Sequence, residues 1–291
     1  MRRSRLRAVL VVLAAMALLA TACGGDGGGG DGGDGEPQDL LANVQSEGVL
    51  RVSTDPAYPP QSALNEDTGE YEGFDIDVAT EIADRLGVDI AWETPQWETI
   101  IAGNWNGRWD VSVGSMTVLP ERAEVLHFTP PYYFTPAAVA VQAGDSSVTD
   151  LATDLDGKTI GVCGGCTYDY YLQKTLDVPG YEFDFVIDDA QIVATDTDTT
   201  AIEQLEQGRV DAVISSVTTL DSAVKKGKEI QVVPGTLFYE PLAVAIDRSS
   251  DLDPTSLVAE LTRIVEEMHS DGTLSQLSMK WFGEDLTVSV A

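Results

Sequence analysis

Histidine occurs twice in 291 residues and cysteine three times, while lysine and arginine together number 17 against 48 acidic residues. Each scarcity removes a class of function. His127 and His269 stand far apart along the chain, so a zinc centre lacks partners beyond a pair of cysteines. A formal charge of −31 excludes nucleic acid, because phosphate binding needs a basic surface. It also rules out gathering acidic solutes through the overall field, so any anion must be captured locally. The glycine-rich stretch has no flanking strand or helix and is not a phosphate-cradling loop. No nucleophile paired with a base stands out.

What is present is a folding sequence, 43% hydrophobic and long enough for one large domain or two lobes. The first 22 residues read as an export signal: Arg2, Arg3, Arg5 and Arg7, then an apolar run from Ala8 to Leu19. That run is short for a bilayer span, which needs about 20 residues. Ala20, Thr21 and Ala22 lead into Cys23 in a pattern that resembles a bacterial lipobox, with Ala20 where leucine is commoner. The expectation is cleavage and lipidation at Cys23. A run of glycine and aspartate from Gly24 to Gly35 then makes a flexible, anionic tether over residues 23–45. Beyond the leader no stretch is long and apolar enough to span a membrane.

From Val49 apolar strands alternate with amphipathic helices. In "FDIDVATEIADRLGV", Phe74, Val78, Ile82 and Leu86 recur every four residues on one helical face, and Gly87 stops the helix. The strand–helix rhythm predicts an α/β fold with largely parallel sheets. "NGRWDVSVGSMT" (106–117) aligns without gaps to "QGRVDAVISSVT" (207–218). Each copy is a Gly-Arg-x-Asp turn, an apolar strand and a serine-rich exit, which suggests two similarly built lobes. Ligands in open α/β sheets sit beyond the carboxyl ends of strands, so both exits are expected to face a shared cleft.

Six segments, "LRVSTDPAYPP", "GEYEGFDIDVATEIADRLGV", "GSMTVLPERAEVLHFTPPYY", "GKTIGV", "LEQGRVDAVI" and "DGTLSQLSMKWFG", resemble in order the solute-binding proteins of polar amino-acid ABC importers. The resemblance covers about residues 47–283. It implies a bilobal periplasmic-binding-protein-like (type II) α/β fold whose two lobes are joined by two hinge crossovers. Lobe 1 would be 46–134 plus 238–291, and lobe 2 would be 135–237. It implies a receptor, not an enzyme, without cofactor or metal. Such a receptor closes on a polar amino acid or similar small zwitterion and docks on a membrane permease; with the lipidated Cys23, the chain is expected to be a monomer anchored on the outer face of the membrane.

The same resemblance assigns Ser115, Thr117 and Arg122 to the ligand's carboxylate. The physical chemistry agrees: Pro120 suits a first helical turn, whose free N–H groups favour an anion, and Arg122 can add a bidentate pair. Thr167 is the matching residue of lobe 2, Tyr58 and Trp97 are the rings that flank the ligand side chain, and Asp55 meets a basic side chain in some family members. Trp105, Trp109 and Trp281 read as packing.

Two positions depart from the family pattern. Ser216 stands where an aspartate usually binds the ligand's ammonium, and Gln61 replaces a phenylalanine. Glu240 or Asp55 would have to compensate; otherwise the ligand lacks a primary ammonium and is a zwitterion such as an ectoine- or betaine-like osmolyte, held by the aromatic rings. Cys163 and Cys166, spaced by two glycines, are expected to form a disulfide outside the cytoplasm. A redox-active pair and a zinc half-site are the alternatives. Ligand sensing without transport and a cyclohexadienyl-dehydratase-like enzyme are the competing functions.

Overall fold

A computed structural model describes residues 39–288; the expected leader, Cys23 and most of the tether lie outside them. The folded body starts earlier than composition suggests. The side chain of Asp39 accepts from Ala42 N–H at 2.8 Å and caps helix α1 (Leu40–Glu47), and Gly48 ends it at φ 69°. Leu40 and Val44 are buried in the core. Residues 40–45, expected in the tether, are therefore part of the body. The cap and the terminating glycine outweigh the polar composition around them.

Strand β1 (Val49–Ser53) leads to a small antiparallel sheet of β2 (Ala57–Tyr58), β3 (Ser62–Leu64) and β4 (Tyr71–Glu72). Helix α2 (Phe74–Leu86), β5 (Asp89–Glu93), α3 (Trp97–Ile101), β6 (Val111–Thr117), α4 (Pro120–Val125) and β7 (Leu126–Phe128) follow. The chain then enters β8 (Tyr133–Gln142), β9 (Thr159–Cys163), α5 (Thr167–Leu172), β10 (Gln191–Thr195), α6 (Asp198–Glu206), β11 (Ala212–Ser216) and α7 (Val217–Lys225). It returns through β12 (Ile230–Asp247) to α8 (Thr255–Ser270) and α9 (Thr273–Trp281).

The main sheet runs β10-β9-β11-β8-β12-β6-β1-β5, with β7 also on β12. At one end β5, β1 and β6 are parallel, and at the other β10, β9 and β11 are parallel. Between them β8 and β12 pair antiparallel. Strand β12 pairs with β8, shifts register between Val233 and Phe238, and goes on to pair with β6. Each end has its own apolar interior. One is built on Phe74, Ile82, Leu257 and Ile264, and the other on Ile160, Val162, Tyr171 and Ile214. The fold is bilobal α/β.

The internal repeat has the same physical content twice. Asp110 accepts the N–H of Arg51 on the neighbouring strand at 2.9 Å, and its own N–H donates to the Arg51 carbonyl at 2.9 Å. Asp211 does both with Thr159, each at 2.7 Å. Each aspartate thus pins the start of a parallel strand pair and fixes where the strand's far end emerges.

Candidate functional site

The far ends of four strands, with the helices that follow three of them, converge on one cavity. The segment after β1 and strand β2 deliver Asp55 and Tyr58, β6 and α4 deliver Ser115, Thr117 and Arg122, β9 and α5 deliver Cys163, Cys166, Thr167 and Tyr168, and β10 and α6 deliver Asp196 and Asp198. Trp97 at the start of α3 and Glu240 from β12 complete the wall. Eight of the nine ligand-binding residues expected from sequence line this cavity. The ninth, Ser216, does not.

Arg122 is 3% exposed. Its two terminal nitrogens donate to the Thr117 carbonyl at 3.0 Å and, across the cleft, to the Gly165 carbonyl at 2.8 Å. Its guanidinium lies 5.1 Å from the centre of the Trp97 ring, a cation–π contact. Nε is buried and has no partner among the described residues. Three of the five guanidinium donors thus remain for a ligand. Burial lowers its pKa to about 10, which leaves it charged at neutral pH.

The hydroxyls of this corner are already engaged. Ser115 has φ 54°, a region costly for a residue with a side chain. Its N–H donates to the Tyr132 hydroxyl at 3.0 Å, and its Oγ donates to Asp75 at 2.7 Å and lies 2.6 Å from the Tyr133 hydroxyl. Tyr132 also donates to Asp75, at 2.8 Å. Burial raises the Asp75 pKa to about 7, against the lowering effect of these two donors. Thr117 and Thr167 both donate to one oxygen of Glu240, at 3.1 and 2.7 Å. Glu240 is 4% exposed, its other oxygen has no partner among the described residues, and burial raises its pKa. An internal carboxylate therefore holds the threonine donors that the sequence assigns to the ligand.

Cys163 and Cys166 form a disulfide, with Cα atoms 5.4 Å apart. Its loop carries the Gly165 carbonyl that accepts from Arg122, so this turn touches the opposite wall of the cleft. Asp55 turns one oxygen to the Ala57 N–H at 2.7 Å, and burial raises its pKa.

The two departures from the family pattern meet each other. Gln61 Nε2 donates to Ser216 Oγ at 3.1 Å and to Thr218 Oγ1 at 2.8 Å, and Thr219 Oγ1 donates to Gln61 Oε1 at 3.2 Å. All four residues are buried. Ser216 additionally caps α7, accepting the Thr219 N–H at 3.2 Å. The amide and the hydroxyls form a link between the β2–β3 region and the start of α7.

Asp198, Asp196 and Tyr168 are cavity residues that motif reasoning missed. Asp198 begins α6 behind the cap Thr197. The available signal was topological: α6 starts at the carboxyl end of a sheet strand, like the other lining segments.

Bacterial extracellular solute-binding proteins, family 3, is the family whose sequence pattern matches, over residues 50–284. The chain is 30% identical over 254 residues to the L-cystine-binding protein TcyJ of Escherichia coli (strain K12), a match covering 86% of this chain and 88% of that protein. Among solved structures it is similar to the ancestral amino acid-binding protein AncCDT-1, described as a precursor of cyclohexadienyl dehydratase. That match has 26% identity and a TM-score of 0.72, over 84% of this chain and 100% of the other. It is also similar to an ancestral arginine-binding protein bound to arginine, at 31% identity and a TM-score of 0.69, over 81% of this chain and 99% of the other.

Proposed function

The chain belongs to the bacterial extracellular solute-binding proteins, family 3, and from that premise we propose that it is the receptor of an ABC importer for a polar amino acid. The observation that carries this reading is the buried Arg122, which lines the cavity and whose Nε has no partner among the described residues. Solute enters the cleft between lobe 1 (46–134 plus 238–291) and lobe 2 (135–237), and the lobes close about β8 and β12. Arg122 takes the carboxylate, with Ser115, Thr117 and Thr167 beside it. Tyr58 and Trp97 flank the side chain. Arg122 and Trp97 already reach the Gly165 carbonyl across the cleft, at 2.8 and 3.4 Å, and a bound carboxylate adds a further bridge between the walls.

The closed form is what a permease would recognise. The protein is a binding protein without catalysis, a monomer, and held on the outer face of the membrane by lipid on Cys23. The leader's layout supports that anchor, and no helix among the described residues is long and apolar enough to cross a membrane. Calorimetric titration of the purified protein against the common amino acids tests the receptor reading. Saturable binding of at least one, with one site per chain, is the expected result. A folded protein that binds none contradicts it.

A further inference from the structure

Ser216, the position that supplies a carboxylate in the family pattern, is consumed by Gln61, yet the cavity is rich in acid. Asp55, Asp196, Asp198 and Glu240 line it against the single guanidinium of Arg122. Two of these acids are more than nine-tenths buried, Glu240 at 4% exposure and Asp198 at 6%. Each keeps one oxygen without a partner among the described residues. Burying carboxylates in this state is costly unless a cation joins them.

The two have different surroundings. Glu240 sits at the Arg122 end: it takes the hydroxyls of Thr117 and Thr167, and its charge and that of Arg122 act on each other. Asp198 lies at the side-chain end, beside the Cys163–Cys166 disulfide, with a carboxylate oxygen within 4.8 Å of both sulfurs. It is coupled electrostatically to Tyr58, one of the flanking rings, and to Asp55 and Glu240. Burial and those two acids raise its pKa to about 7, against the neighbouring Ser215 hydroxyl. No cationic side chain among those lining the cavity is paired with it.

We propose that Asp198 is the cation-binding residue of the cavity, receiving the charged end of the solute's side chain, and that the solute is a basic amino acid. This rests on the receptor reading above and adds the ligand's charge. The carboxylate of such a solute meets Arg122, its ammonium meets the free oxygen of Glu240, and its distal cation meets Asp198. Two cations and one anion offset the excess of buried acid, which a neutral amino acid leaves uncompensated.

The test pairs L-arginine with L-citrulline, which keeps the backbone and length but replaces the guanidinium with a neutral urea. The parent protein is expected to bind arginine at least about tenfold more tightly. Asp198→Asn should reduce that ratio to within about threefold, and Asp55→Asn should retain most of the preference. A parent without preference, or a preference that survives Asp198→Asn, overturns the proposal. So does a preference that Asp55→Asn removes instead.

A measurement on the parent alone guards against a variant that folds poorly. Near pH 7, arginine should release more protons than citrulline, seen as a dependence of the binding heat on buffer ionisation enthalpy. Asp198 faces Asp55, Glu240, Tyr58, Tyr168 and Ser215, and a cation placed among them favours the ionised form. Equal release overturns the proposal. If neither probe binds but a neutral amino acid does, the receptor reading stands and this inference falls. If no amino acid binds, both fall.

Discussion

The two copies of the Gly-Arg-x-Asp strand start alike and end differently. Asp110 and Asp211 make the same pair of hydrogen bonds to the neighbouring strand. Four to seven residues later the copies diverge. Gly114, Ser115 and Thr117 line the cavity, whereas Ser216 and Thr218 are tied to Gln61. A repeated strand start thus fixes where the backbone emerges, but the residues at the exit decide whether that position serves the ligand or the protein. The second exit is serine where an acid would face a ligand's ammonium, so a neutral hydroxyl is available to an amide. The acid appears elsewhere, on α6 and on β12.

That contrast can be broken most severely at the first exit. Arg122→Ala should reduce affinity for the solute by at least about a hundredfold, because removing one partner of a buried, hydrogen-bonded charge pair costs about 2–5 kcal/mol. Titration calorimetry measures the loss, with the thermal midpoint confirming that the protein still folds. Affinity within threefold of the parent would remove Arg122 from the account.

A smaller effect is expected at the second exit. Gln61→Ala removes the amide that spans to Ser216, Thr218 and Thr219. The three hydroxyl residues retain one another, with Ser216 Oγ donating to Thr219 Oγ1 at 2.9 Å and lying 3.1 Å from Thr218 Oγ1. The net loss is then near that of one ordinary hydrogen bond, about 0.5–1.5 kcal/mol. Affinity should fall by about threefold to tenfold, equally for all ligands, because the link acts on closure and not on recognition. A change in ligand ranking would mean that Gln61 touches the solute.

Much of this architecture was legible beforehand, for reasons that particular residues make plain. The fourfold spacing of Phe74, Val78, Ile82 and Leu86 with Gly87 after them forms α2 as expected. The shared Gly-Arg-x-Asp turn is a local pattern with a local hydrogen-bonding role. Arg122 was identifiable because its segment resembles the family's carboxylate-binding corner, and Pro120 opens the helix that carries it.

Other features were hidden by distance or by composition. Gln61 and Ser216 are 155 residues apart, and nothing local in either says that they meet. Asp198 sits in "TDTDTT" within a chain of 48 acids, where an acid at a helix start ordinarily reads as solvated. Only the topology shows that this helix opens onto the cavity. The helix α1 was masked by the adjoining glycine-aspartate run, although Asp39 and Gly48 mark both its ends.

The most direct measurement is a crystal structure of the protein with the amino acid that titration selects. The ligand carboxylate is expected within hydrogen-bonding distance of the Arg122 guanidinium, with Gln61 still bonded to Ser216. A ligand seated on Ser216 with Gln61 displaced, or a carboxylate bound away from Arg122, would contradict that expectation.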